Sequence, residues 1–68
     1  MENSLEWVLN KIDKDLKEIV VLYYYDELSV NEIANILEIP SGTVKSMLSR
    51  ARTQIAEIMK KEEGEFNG

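Results

Sequence analysis

Sixty-eight residues allow one small domain, with a core too small to tolerate much polar burial. With no cysteine and no histidine, neither a disulfide nor a thiolate metal site can staple it, so the fold must rest on packed elements. A formal net charge of −5 excludes an evenly basic surface and, taken as a sum, argues against a phosphate-bearing partner.

In chain order, Ser4 is positioned to cap a first helix, on which Leu5, Val8, Leu9 and Ile12 recur at helical spacing. Trp7 points away from that stripe and is expected to lap over a neighbouring helix. Asp13 offers a second cap, with Asp15 placed favourably in the first turn. The segment after it, Lys14 to Glu27, contains the run IVVLYYY, which taken alone has strand propensity. Its flanks argue otherwise. Leu16, Ile19, Val20, Tyr23 and Tyr24 keep a 3–4 spacing, and no hairpin turn borders the run, so a buried helix is predicted.

Ser29-Val30-Asn31-Glu32 fits a capping box, flanked by Leu28 and Ile33 as a hydrophobic staple. The helix it opens should bury Val30, Ile33, Ala34 and Leu37. Pro40 disfavours helical geometry in Ile39 and so ends it, leaving Ser41 as the predicted cap of a long last helix. Two helices meeting across Glu38-Ile39-Pro40-Ser41 outline a helix-turn-helix over about residues 29–52. The predicted fold is all-α, a compact four-helix domain that ends in a long C-terminal helix. Residues 1–68 make one domain, with 62–68 expected to fray into a disordered tail.

Charge is segregated along the chain. Residues 1–40 hold three lysines against nine acids, a net of −6, whereas residues 41–61 hold five basic residues against Glu57, a net of +4. From Ile39 to Ala56, eighteen residues pass without an acid. At roughly 100° per residue, Val44, Leu48, Ala51, Ile55 and Ile58 form the core stripe of the last helix. The opposite arc collects Thr43, Lys45, Ser46, Ser49, Arg50 and Thr53. A merely solvated face would favour Glu, Lys and Gln, which are better helix formers than Ser and Thr. Short hydroxyls between basic residues instead let a ligand approach the backbone closely and offer donors to phosphates and base edges. A carboxylate there would repel DNA.

The stretch LSVNEIANILEIPSGTVKSMLSRAR, residues 28–52, resembles region 4 of bacterial sigma factors of the extracytoplasmic-function group, and the likeness extends back through IDKDLKEIVVLYYYDELS. That resemblance implies a four-helix domain that binds double-stranded promoter DNA at the −35 element, as a monomer. It also implies docking on the β flap of RNA polymerase and masking by an anti-sigma factor. By the resemblance, Lys45, Ser46, Ser49 and Arg50 take the groove-lining positions, Thr43 and Arg52 match backbone-contacting ones, and Lys17 replaces a basic residue that reaches a phosphate. The chain departs from the pattern at Asp13, often Pro in relatives, at Tyr23 and Met47, often Arg, and at Glu27 and Glu38, often Gly. There is no room for the region 2 with which sigma factors open DNA. The expectation is therefore a domain of a longer sigma factor, with one part of a split sigma system as the alternative.

A second class is the output domain of LuxR-type regulators, which shares an "EIA" helix followed by "TVK". The proline-containing turn and the "SRAR" continuation favour the sigma reading. A third is a protein-interaction module served by the acidic helices. Enzyme activity is the weakest class: the chain offers no Gly-rich phosphate loop and no carboxylate pair in an apolar setting. The acids are scattered, so neither a metal nor a cofactor is expected. No apolar run reaches the roughly eighteen residues of a membrane span, and Met1 does not open a signal segment, so a soluble, cytoplasmic protein is expected.

Overall fold

In the computed structural model, the backbone is described for residues 4–67 and the side chains for residues 6–61. Four helices follow one another: α1 (Ser4–Leu9), α2 (Lys14–Val20), α3 (Val30–Leu37) and α4 (Ser41–Asn67). The described residues contain no strand, and a π-helical segment, Val21–Tyr25, extends α2. The all-α fold with a helix-turn-helix is as the periodicity predicts.

The apolar spacing of each helix decides what it buries. Val8, Leu9 and Ile12 are buried, Ile12 from the turn just beyond α1; the side chains of Ser4 and Leu5 lie outside the described ones. One core cluster joins Leu9, Ile12, Leu16, Val20 and Ala51, and so seats α1 and α2 on the middle of α4. The other joins Ile19, Ile33, Val44 and Leu48, tying α2 and α3 to the first turns of α4. Leu28, Val30, Ala34 and Leu37 pack against this second cluster. No buried side-chain polar atom lacks a partner among the described residues, so the small core is free of the cost of unpaired polar burial.

Several local expectations are corrected. Asp13 is the N-cap of α2, and its carbonyl accepts from the Lys17 N–H at 2.9 Å, but its carboxylate caps nothing. That carboxylate lies 3.5 Å from Gln54 Nε2 on α4, so the side chain bridges elements rather than closing a helix end. Ser41 is the first residue of α4, not its cap. The first intrahelical bonds run to the Pro40 carbonyl, from Thr43 at 3.0 Å and Val44 at 3.2 Å, which makes Pro40 the capping residue.

The IVVLYYY run is helical, but not uniformly so. Val21 accepts from the Asp26 N–H at 3.1 Å, an i→i+5 bond, and Leu22 accepts from the Leu28 N–H at 3.1 Å. The widened turn breaks the mapping of 3–4 spacing onto one face. Ile19 and Val20 are therefore buried while Tyr24 and Tyr25 are half-exposed, against the prediction of a buried Tyr24. Trp7 is partly buried, with the Lys11 ammonium 4.6 Å from its ring centre. The cover found for this ring is a local cation–π contact.

Candidate nucleic-acid interface

The turn that presents α4 is built from local chemistry. Ser29 Oγ accepts from the Glu32 N–H at 3.1 Å, and Glu32 Oε1 accepts from the Ser29 N–H at 2.8 Å, the reciprocal box that the sequence predicts. The far end of α3 closes with Glu38 in the left-handed region, φ 59° and ψ 46°. The Ala34 carbonyl accepts from both the Glu38 and the Ile39 N–H groups, the latter at 3.0 Å. Ile39 then drops into the second core cluster. Pro40 caps α4, and the angle between α3 and α4 is fixed within three residues.

Among the described side chains, helix α4 is buried along one side only. Val44 and Ala51 are fully buried and Leu48 nearly so, with Ile55 and Ile58 packed alongside. Thr43, Lys45, Ser46, Ser49, Arg50 and Thr53 are all exposed on the other side. An added Cβ at Gly42 would meet nothing within 4 Å, so the space beside the first turn is open. Among the described residues, no hydrogen bond or ion pair occupies the side chains of Thr43, Lys45, Ser46, Ser49 or Arg50. The Thr53 hydroxyl instead donates to the Ser49 carbonyl at 3.1 Å, one turn back in the same helix.

Two residues of the expected set are engaged elsewhere. Arg52 is exposed, and its Nε donates to Tyr24 Oη at 3.1 Å, joining α4 to the π-helical segment. That bond, and secondarily the charge interaction with Tyr24, raises the Arg52 pKa above its ordinary value, and the guanidinium is a cation with or without it. Lys17, on α2, donates from Nζ to Asn10 Oδ1 in the α1–α2 turn. It borders a surface groove with Lys14, Asp15, Glu18, Val21 and Leu22, to which α4 contributes no residue. Five of the seven sequence-derived residues thus share the exposed arc of α4, Arg52 lies on its flank, and Lys17 stands apart. Tyr24 is the residue that sequence reasoning misses: its 3–4 spacing reads as core, and nothing local announces a partner 28 residues away.

Among the described residues, no group of three or more carboxylates is arranged to hold a metal ion and no helix is long and apolar enough to cross a membrane. What the arc can do chemically is donate hydrogen bonds and positive charge to an anionic, groove-shaped ligand.

Comparison with known proteins leads to the same region of the chain. Over 52 residues the chain is 40% identical to the ECF RNA polymerase sigma factor SigW of Bacillus subtilis (strain 168). The match takes in 76% of this chain and 28% of that protein, so the chain spans little more than a quarter of its relative's length. Residues 3–55 match the family described as Sigma-70, region 4, which takes in every element from α1 to the middle of α4. The chain belongs to the sigma-70 region 4 family.

Proposed function

We propose that this domain binds promoter DNA at the −35 element during transcription initiation, as region 4 of an extracytoplasmic-function sigma factor. Helix α4 enters the major groove, where Lys45, Ser46, Ser49 and Arg50 face base edges, while Thr43 and Arg52 hold backbone phosphates. The observation that carries this reading is the exposed arc of α4, free of acids from Ile39 to Ala56 in a chain of net charge −5 and presented by a capped helix-turn-helix. Family membership supports the same reading. The site is one for binding, with no catalytic role.

Acids concentrated in residues 1–40 keep that half off DNA and leave it to protein partners. The partners we propose are the β flap of RNA polymerase and an anti-sigma factor that masks the domain. Lys17 on α2, tied to Asn10 in the α1–α2 turn, reaches a phosphate only if it leaves that bond, which makes it a peripheral member of the interface.

The test compares alanine variants on a promoter duplex and a scrambled one. Arg50→Ala and Lys45→Ala should weaken promoter binding by about 1–3 kcal/mol where a base contact is lost, and scrambled binding by less. Lys60→Ala, about four turns along the helix from the arc's first residues, should change little. Equal losses for all three on both duplexes would remove Lys45 and Arg50 as readers. A two-fold footprint on a palindrome would point instead to a LuxR-type dimer.

A further inference from the structure

The bond between Arg52 and Tyr24 joins the proposed DNA face to a part of the molecule that the reading above does not use. Arg52 follows Lys45 by seven residues, about two turns and about 10 Å along the same flank of α4. An exposed arginine ordinarily samples many rotamers, and fixing one costs entropy on binding. Here Nε is held at 3.1 Å by Tyr24 Oη, which leaves both terminal amino groups of the fork uncommitted among the described residues. The anchor is itself held. The Tyr24 ring packs edge-on against Tyr23, with centroids 4.9 Å apart and planes at 82°, and Tyr23 packs against the core cluster of Ile19 and Ile33. Arg52 and Tyr24 also line an apolar groove with Val20, Ile55, Ala56 and Met59. The widened π turn places Tyr24 there: it carries the residue out of the buried stripe and leaves it half-exposed beside α4.

We infer that Tyr24 is a positioning residue for DNA binding, holding the Arg52 guanidinium so that its free edge meets a backbone phosphate in bidentate fashion. Because Tyr24 Oη accepts from Arg52, its own O–H remains able to donate, and a phosphate oxygen beside the guanidinium is within the chemistry of both groups. The inference rests on the proposal that α4 binds DNA. It predicts a contact that positions without specifying, and so a gain felt on any sequence.

The experiment measures affinity for promoter and scrambled duplexes over a range of salt, for wild type, Tyr24→Phe, Arg52→Ala and the double variant, with thermal unfolding of each free protein. Tyr24→Phe keeps the ring, so its melting midpoint should stay close to wild type. Its affinity should fall about 3- to 10-fold on both duplexes, the size of one well-made hydrogen bond. Arg52→Ala should lower the slope of log K against log salt by about 0.9, and Tyr24→Phe by a fraction of that step. In the Arg52→Ala background, Tyr24→Phe should cost much less than it does alone. Unchanged affinity and slope in Tyr24→Phe would overturn the inference, as would a loss just as large when Arg52 is absent. Arg50→Ala, run alongside, separates the two proposals. If it weakens promoter binding while Tyr24→Phe does nothing, the clamp fails and the reading face stands. If the effects of Tyr24 and Arg52 appear on scrambled duplex while Arg50→Ala leaves the promoter preference intact, the clamp stands and the reading face fails.

Discussion

Two glutamates hold left-handed backbone, Glu27 at φ 57° and Glu38 at φ 59°, and both side chains are exposed. In that conformation the Cβ crowds the following carbonyl oxygen, a clash that glycine lacks. Relatives in the resemblance often carry Gly at both places, and the geometry gives the reason. Neither side chain is buried, so its removal leaves no cavity. Glu38→Gly and Glu27→Gly should each stabilise the fold by about 1 kcal/mol, raising the melting midpoint by about 4–8 °C for a domain of this size. Glu38→Ala keeps the clash and should give no such gain. A midpoint that falls in Glu38→Gly would mean that the α3–α4 turn gains more from a stiff chain than it loses to strain. The end of α3 was legible in the sequence because Pro40 forces it to stop, whereas the left-handed backbone at Glu38 came with the structure. The capping roles of Asp13 and Ser41 were less legible. Residue type nominates a cap, but the cap is the residue whose carbonyl takes the first helical bond, and at α4 that is Pro40.

At the scale of elements, the apolar stripe of α4 and the start of α3 followed from sequence alone. Each is set within a few residues, by about 100° per residue in one case and by a reciprocal side-chain box in the other. The π-helical turn did not follow, since 3–4 spacing of Ile19, Val20, Tyr23 and Tyr24 fits an unbroken α-helix equally well. The Tyr24–Arg52 bond was beyond sequence reasoning because it depends on that turn. The exposed arc of α4 was legible because one helix carries it; Lys17, on another element, was assigned by resemblance and lies outside it. The capping box also allows a test of how α3 holds α4. Ser29→Ala should cost about 1 kcal/mol in denaturant unfolding, the usual loss for an N-cap. Glu32→Ala should cost less, and the double variant less than the sum, because each partner works through the other. Strict additivity would show that the two bonds act independently and that Leu28 and Ile33, packed in one cluster, fix the helix entry without them.

For the whole molecule, the question is how two small clusters become one core. Among the described residues, Met47 alone packs against both of them. It is partly buried, on the boundary between the stripe of Val44 and Leu48 and the exposed arc that carries Thr43 and Arg50. An unbranched thioether can follow both surfaces without a fixed rotamer, which suits a junction. Met47→Leu keeps the volume and should cost less than about 1.5 kcal/mol. Met47→Ala opens the junction and should cost about 2 kcal/mol, near the low end for a methionine because the site is only partly enclosed. Arg, common here in relatives by the resemblance, is the informative substitution. Its stem can cover both clusters while the guanidinium extends past Thr43 and Arg50 toward solvent. Met47→Arg should therefore fold, with a melting midpoint no lower than that of Met47→Ala. On DNA it should add one phosphate contact, steepening the slope of log K against log salt by about 0.9. Sequence preference should barely move, because a phosphate contact positions without specifying. A midpoint well below that of the alanine variant would mean that the charge cannot leave the junction. Met47 would then be enclosed on both sides, and the arc open to DNA would begin further round the helix, away from Thr43 and toward Ser46 and Ser49.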